Sequence, residues 1–288
     1  MNEINTTIQL DKLRFSCTSI VDDNFNDAVQ RYPNLCFTDH TFNETILTVT
    51  TDLSRRYKYS YSVSHAGCTM GQIDFGLYGK SLTDERIRFT VDNSVFYNNT
   101  LCLLSNTLEN LNLQIKDFTL LEIAIDNYIQ NVEQTMRRSL KNKEYEVKLL
   151  GRIVRDRNKM LKEIDYWNSG SLNNPFKQRT LYIKNKKETF GLKAYNKKEE
   201  IKNNSPHKGY IWNYHHEKNP KAHNLFRTEI EILYDDLHRY QEKHKIITLE
   251  DLQNPQFLHS LFIKYFDRLI VIKDSNKQKI DLIPTPAM

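Results

Sequence analysis

Apolar and polar residues alternate along much of the first 110 residues, which is the pattern of half-buried β-strands. The clearest runs, separated by Gly, Asn and Asp, are TILTVTTDL (45–53), YKYSYSVS (57–64), GQIDFGLYG (71–79) and RIRFTVDN (86–93). The alternation continues in LQIKDF (113–118) and LLEIAID (120–126), where we predict two further strands with a turn near Asp117. The N-terminal part of the chain is therefore predicted to be mostly β.

After this region the apolar period changes, and residues 128–167 are predicted to be helical with a break near Gly151. The hairpin 180–195 returns to β, and a polar loop of about 28 residues follows it. LFRTEIEILY (225–234) is the next predicted strand. Helices are predicted from 235 to 269, with NPQ (254–256) as a start signal, and DLIPTPAM (281–288) is predicted to be a loose tail.

This order of elements predicts an α+β protein with a central antiparallel β-sheet and packed helices. We place a β-rich domain at residues 1–234, with a helical insertion at about 128–167. A helical C-terminal region and tail would occupy residues 235–288.

Composition narrows the class of protein. With 39% hydrophobic and 27% charged residues, the chain is typical of a globular protein. No apolar run approaches the roughly 20 residues of a membrane span, and the first residues lack a basic-then-apolar signal pattern. We expect a cytoplasmic protein with no membrane partner. Its widely spaced cysteines are expected to be reduced and not to form a zinc site: Cys17, Cys36, Cys68 and Cys102.

Positive charge is concentrated in one block. Residues 177–223 hold twelve Lys/Arg against four Asp/Glu, a local charge of +8 in a chain whose net charge is +5. The remainder therefore carries −3. Such a block predicts a face that binds a polyanion, and its interleaved tyrosines favour nucleic acid because aromatic rings can stack on bases. The alternative is a lysine-rich loop that only keeps the protein soluble.

The segment Arg179–Ile201 combines the groups that attack a phosphodiester. Tyr182 and Tyr195 lie on the two predicted hairpin strands, and the pair Glu199–Glu200 closes the segment. A phenol oxygen can act as a covalent nucleophile, while lysines orient a polyanion. The alternative is an ordinary amphipathic hairpin with a solvated turn. The lysines expected to contact DNA are Lys184, Lys186, Lys187, Lys193 and Lys198.

Two strands carry candidate metal ligands. On LLEIAID, Glu122 and Asp126 share one face because strand side chains alternate, and together they make a half-site for Mg²⁺ or Mn²⁺. On RTEIEI, Arg227, Glu229 and Glu231 share a face. If the two strands pair, four acids and an arginine converge. The alternatives are a surface strand and a neutralised cross-strand ladder.

The adjacent histidines His215 and His216 are not predicted to hold one metal ion. Neighbouring residues of a strand point to opposite faces, so we expect both in a loop or in contact with the DNA backbone. The chain has no Gly-rich phosphate loop and no G-x-S-x-G motif, so nucleotide hydrolysis and serine chemistry are unsupported.

Taken together, TLYIKNKKETFGLKAYNKKEEI followed by LFRTEIEI resembles the replication initiation factor family of rolling-circle plasmids and mobile elements. The family pattern is close to T-L-Y-I-G-S-x-K-S, then R-x-Y-[DN]-K-x-x-E, then R-x-E-[IVL]. LLEIAID resembles its R-[IL]-D-[IL]-A-x-D strand, and GQIDFGLYGKS…RIRFTVDNSVFYN is similar in layout to its N-terminal sheet. The likeness extends over about residues 4–234 and is strongest in roughly forty of them.

The resemblance implies a nicking domain that cuts one DNA strand, forms a 5′-phosphotyrosine and leaves a 3′-OH primer. It makes Tyr182 the first candidate nucleophile and Tyr195 the second. Lys197 and Arg227 match the family's basic positions. The acids that match, and would bind Mg²⁺ or Mn²⁺, are Glu122, Asp126, Glu200 and Glu229.

Some positions depart from the family pattern. Lys184 and Asn185 replace Gly-Ser, Leu120 replaces the arginine, and Glu122 replaces an aspartate. The departures leave three functions open: a rolling-circle initiator, a conjugative relaxase of the same chemistry, and a non-enzymatic DNA-binding replication or copy-control factor. The expected partner is DNA, as a single-stranded or cruciform origin site. A homodimer and a host helicase are further partners consistent with that role.

Overall fold

The computed structural model describes residues 6–19, 39–50, 57–77, 87–156, 158, 180–184, 187 and 189–284. Within these ranges, none of the helices combines the length and the apolar character that crossing a bilayer requires.

The described residues form an α+β fold, as predicted. A ten-stranded sheet has the order β10-β11-β12-β7-β1-β6-β5-β4-β3-β2, and a three-stranded sheet has the order β13-β8-β9. The strands are β1 Thr6–Ser19, β2 His40–Phe42, β3 Thr45–Val49, β4 Tyr57–His65, β5 Cys68–Leu77, β6 Ile87–Val91, β7 Leu113–Asn127, β8 Glu146–Leu149, β9 Arg152–Ile153, β10 Thr180–Lys184, β11 Phe190–Asn196, β12 Phe226–Leu233 and β13 Ile270–Lys273.

Helices lie between these strands and after them. They are α1 Ser94–Tyr97, α2 Leu103–Asn110, α3 Val132–Lys141, α4 Lys197–Asn204, α5 Gly209–Lys218, α6 Tyr234–Lys243, α7 Leu249–Gln253 and α8 Pro255–Leu269, with a 3₁₀ turn at Pro206–Lys208. The predicted helical C-terminal region is confirmed, and α8 begins at the NPQ signal. There the Asn254 side chain accepts hydrogen bonds from the backbone N–H groups of Gln256 and Phe257.

Two predicted elements differ from the structure. Residues 113–127 form the single strand β7 with no turn at Asp117, whose carbonyl accepts a hydrogen bond from the Ser16 hydroxyl of β1. Within the described part of the predicted helix 128–167, α3 is helical, and residues 146–153 form the hairpin β8–β9 instead. Leu150 and Gly151, both with positive φ, make its turn. The stretch 159–179 lies outside the described residues.

The predicted polar loop after the hairpin is also wrong, since α4 and α5 occupy it. The Asn196 side chain accepts a hydrogen bond from the Glu199 backbone N–H, and the acids at 199 and 200 favour the positive end of the helix dipole. At the C-terminus, Ile270–Lys273 adds a strand that was not predicted. Leu282 and Ile283 are buried, so the predicted loose tail is wrong at these two positions.

The chain divides into two compact units. One comprises Asp11–Leu121 and Leu237–Lys243, and the other comprises Met1–Leu10, Glu122–Asp236 and His244–Met288. In the first unit, antiparallel strands β3 to β6 bury aromatic and branched side chains, among them Tyr61 and Phe89.

In the second unit, the helices α3 and α8 pack on β11 and β12. Leu192, Ala194, Ile230 and Ile232 form buried core there. The opposite face of these strands carries the candidate site. The division into a β-rich domain at residues 1–234 and a C-terminal region at 235–288 stays a prediction.

Candidate functional site

The hairpin and its neighbouring strand bring the predicted residues into two rows within the second unit. In the antiparallel register, Tyr182 lies opposite Lys193, which lies opposite Glu229. One row along, Tyr195 lies opposite Arg227. Directly paired residues of a sheet share a face, so these side chains lie together. β12 is adjacent to β7 in the sheet, so the strand pairing on which the predicted convergence depends is present.

Lys193 is held between two buried carboxylates. Its Nζ donates to Oε2 of Glu122 at 2.9 Å and lies 3.6 Å from Oε2 of Glu229. Glu122 and Glu229 are 0% and 2% exposed. Burial favours the neutral amine, but the charges of Glu229 and Glu122 outweigh it and raise the pKa of Lys193 above its ordinary value. One ammonium group therefore interacts with two carboxylates.

Asp126 is paired with Arg227 in the next row. Nε and Nη2 of the guanidinium donate to the two carboxylate oxygens at 2.7 and 2.6 Å, and both side chains are fully buried. Nε2 of His215 lies 3.0 Å from the same carboxylate. Burial alone would raise the pKa of Asp126, but Arg227 and His215 hold it well below its usual range.

His215 connects this pair to a tyrosine. Its Nδ1 lies 2.9 Å from the Tyr128 hydroxyl, and both groups are buried. Burial and the Asp126 charge raise the pKa of Tyr128, so the phenol stays protonated. The expectation of a loop at these histidines is wrong: on helix α5, His215 points to the sheet and His216 is exposed.

Tyr195 lies next to Glu229 and to the Lys197–Glu200 ion pair, and its side chain is 7% exposed. Its hydroxyl donates to Oε1 of Glu229 at 2.5 Å, and Nζ of Lys197 lies 3.4 Å from the same hydroxyl. Lys197 also pairs with Oε2 of Glu200 at 2.9 Å. Burial opposes ionisation of Glu200, but hydrogen bonds from Ser205 and Lys197 and the Lys197 charge lower its pKa.

Tyr182 occupies a different position from Tyr195. It lies on β10, the terminal strand in the order of the described sheet, and its side chain is half-buried. Among the predicted DNA-binding lysines, Lys184 is half-buried and Lys187 is exposed, while Lys186 lies outside the described residues. Nζ of Lys198 donates to the His223 carbonyl at 2.8 Å.

The carboxylates are the class of ligand that Mg²⁺ or Mn²⁺ takes, but they do not all meet at one point. Glu122 and Glu229 both contact the ammonium of Lys193, and Nη1 of Arg227 also lies 3.6 Å from Oε1 of Glu229. These two carboxylates are the pair considered for a metal ion. Asp126 forms an ion pair with Arg227, and Glu200 forms one with Lys197.

Sequence reasoning missed Tyr128 and set aside His215. A helical reading of residues 209–218 would have separated His215 from His216, because neighbouring helix positions differ by 100°. We find no sequence signal for Tyr128 beyond its place two residues after Asp126.

No family model matches the chain, and no curated protein matches it either. Among solved structures, the chain is similar to the rolling circle replication initiator protein from Geobacillus stearothermophilus. The two share 13% sequence identity with a TM-score of 0.49, over 92% of this chain and 86% of that chain.

Proposed function

We propose that this protein is a rolling-circle replication initiator that nicks and rejoins one DNA strand through a covalent 5′-phosphotyrosine. The observation that carries the proposal is the row Tyr182–Lys193–Glu229, with Glu122 on the same cation. It combines a phenol on the terminal strand of the described sheet, a cation beside it and two carboxylates. These groups match the chemistry that the sequence motifs imply.

Tyr182 is the proposed nucleophile. Its phenol oxygen attacks the scissile phosphorus, the P–O3′ bond breaks, and the phenol proton is lost to a base while the departing 3′-oxygen takes up a proton. The 5′ phosphate stays on the tyrosine, and the 3′-OH is the primer. In the reverse direction, a 3′-OH attacks the phosphotyrosine and reseals the strand.

Tyr195 is the second candidate because Glu229 accepts its hydroxyl proton in a short hydrogen bond. Attack requires that a phosphate reach the phenol oxygen, however, and Tyr195 is only 7% exposed. The half-buried Tyr182 meets that requirement better. In this proposal Tyr195 and Lys197 position Glu229 and Glu200, and Arg227 positions Asp126.

Glu122 and Glu229 are the residues that would hold Mg²⁺ or Mn²⁺. A bound divalent ion polarises the scissile phosphate and offsets charge that develops in the transition state. The chain's own contribution is to hold the two carboxylates on adjacent strands and to seat DNA with Lys184, Lys187 and Lys193. Asp126 and Glu200 remain candidate ligands from the sequence motifs.

A non-enzymatic DNA-binding replication or copy-control factor is the second candidate function. The observation that favours it is that Lys193, Arg227 and Lys197 already form ion pairs with the predicted acids. A conjugative relaxase would share the proposed chemistry and differ in its target site. Single-stranded or cruciform origin DNA is the proposed partner in each case, and a homodimer and a host helicase belong to the initiator proposal.

The test is a nicking assay on single-stranded DNA from the protein's own replicon with Mn²⁺, resolved on a denaturing gel. We expect nicking that EDTA abolishes and that Tyr182→Phe abolishes while DNA binding stays within about twofold. Tyr240→Phe, a half-buried tyrosine on α6, is the matched control and should nick normally. A fully active Tyr182→Phe protein would overturn the assignment, and EDTA-indifferent binding without nicking would favour the non-enzymatic factor.

A further inference from the structure

Helices α4 and α5 present a cluster of aromatic and basic side chains that the proposed nicking chemistry does not use. We call it the α4–α5 surface and define it by Lys198, Trp212 and His216. Its residues all belong to the second unit of the chain.

The centre of this surface is a stacked pair of rings. Trp212 and His216 are four residues apart on α5, so they share a helix face, and their ring centroids lie 5.7 Å apart at an interplanar angle of 19°. Nζ of Lys198 lies 4.3 Å from the centroid of the Trp212 ring. His216 is exposed, so a further planar group can approach this stack from solvent.

A second aromatic and basic pair, Tyr214 and Lys218, lies on the opposite side of α5, because helix positions two apart differ by about 200°. Nζ of Lys218 lies 4.1 Å from the centroid of the Tyr214 ring and donates to its hydroxyl. Tyr214 in turn packs edge-on against His215, the residue beside Asp126. Helix α5 therefore contacts the buried ion pair of the candidate site through His215.

The charge around these rings is positive. Residues 197–223 contain six lysines and three glutamates, together with four histidines. The exposed basic side chains are Lys202, His207, His216, Lys218, Lys221 and His223. A polyanion that passes along this segment would meet cations at each step, with ring faces between them.

We infer that the α4–α5 surface binds single-stranded DNA, with a base stacked on the Trp212–His216 pair and lysines on the flanking phosphates. Bases of a single strand expose their π-faces, whereas those of a duplex are covered by their neighbours, so ring stacking selects the single strand. The inference rests on the proposed function in naming DNA as the polyanion. It adds a binding site for the DNA strand that lies outside the Tyr182–Lys193–Glu229 row.

The test uses Tyr182→Phe protein, so that bound DNA stays intact, with fluorescein-labelled oligothymidine of about 20 nucleotides and a duplex of equal length. We expect Trp212→Leu and His216→Ala each to weaken oligothymidine binding by roughly 5- to 150-fold, the range that corresponds to loss of one stacked base. Duplex affinity should change by less than about twofold. Asn213→Ala, an exposed position on α5 next to Trp212, is the matched control and should bind as the parent does.

A second readout follows the tryptophan directly. In a Trp167→Phe background, Trp212 is the remaining tryptophan of the chain, and its emission should be quenched by oligothymidine and not by the duplex. His216 is exposed, so His216→Ala keeps the test valid even if Trp212→Leu lowers the melting temperature.

The outcomes separate this inference from the proposed function. Unchanged oligothymidine affinity in both ring variants, or equal losses for single strand and duplex, would overturn the inference while leaving nicking by the Tyr182 protein intact. Failure of the parent protein to bind oligothymidine would also overturn the inference, whereas nicking of DNA from the protein's own replicon tests the proposed function separately.

Discussion

At the scale of single residues, the buried ion pair of Asp126 leads to a prediction about stability. Its carboxylate accepts two hydrogen bonds from Arg227, which is 0% exposed, and it lies beside His215. Removal of one member of a buried ion pair leaves the other charge uncompensated. We therefore expect Asp126→Asn to lower the free energy of unfolding by about 3 to 5 kcal/mol in urea denaturation. Asp267→Asn is the control, because Asp267 pairs with Lys279 at the surface, and should change it by less than about 1 kcal/mol.

The same residue predicts a pH dependence. Since the pKa of Asp126 is lower in the folded protein than in the unfolded chain, its ionisation stabilises the fold above the unfolded pKa of about 4. That contribution is lost as the pH falls toward the lower folded pKa. The difference in unfolding free energy between wild type and Asp126→Asn should therefore shrink as the pH falls below about 4. A difference that grows on acidification would contradict this account.

From the position of Lys193 we predict that its ammonium competes with a divalent metal ion for Glu122 and Glu229. Its ammonium contacts both Glu122 and Glu229, the pair proposed to hold a divalent ion, and two cations so close together repel each other. We expect Lys193→Met to bind Mn²⁺ at least about tenfold more tightly than wild type in a calorimetric titration. Lys184→Met, on the neighbouring strand opposite Gly191, should bind as wild type does. Weaker Mn²⁺ binding by Lys193→Met would show that the lysine supports the metal site instead of competing for it.

At the scale of elements, the strands of the site were predictable and the helices beside them were not. LLEIAID, the hairpin and RTEIEI alternate strictly, because one face is core and the other carries charge. Residues 197–218 are too polar for their apolar spacing to reveal a helix, and only the Asn196 cap with its two following glutamates marks a start. Missing α5 concealed the role of His215, which depends on a helical position.

Strand β5 offers a test of the sheet in the first unit. Gly71 has φ of +149°, and a Cβ atom there would lie 2.2 Å from the Thr90 carbonyl oxygen of β6. We expect Gly71→Ala to lower the free energy of unfolding by more than about 2 kcal/mol, because backbone strain and overpacking add. Gly209→Ala is the control: Gly209 has helical φ and open space around it, so its effect should be within about 1 kcal/mol. A neutral Gly71→Ala protein would contradict the close pairing of β5 with β6.

At the scale of the whole molecule, the sequence predicted an α+β fold and the basic block but could not establish which strands are neighbours. The pairing of β12 with β7 joins residues about a hundred positions apart, and it alone brings Arg227 to Asp126. Ion pairing of each acid with a lysine or arginine likewise depends on tertiary distance, which spacing along the chain does not contain. The motifs therefore named most residues of the candidate site, while the contacts among those residues came from the structure.

The central claim is a covalent bond between DNA and Tyr182, and mass spectrometry of the trapped complex tests it most directly. The protein is incubated with Mn²⁺ and single-stranded DNA from its own replicon, denatured, and digested with trypsin and nuclease. Cleavage after Arg179 and Lys184 releases TLYIK, whereas Tyr195 leaves in AYNK, so the two tyrosines are read separately. We predict a nucleotide adduct on TLYIK that is absent with EDTA. An adduct on AYNK would contradict the assignment of the nucleophile, and target DNA bound without any adduct would contradict the nicking function itself.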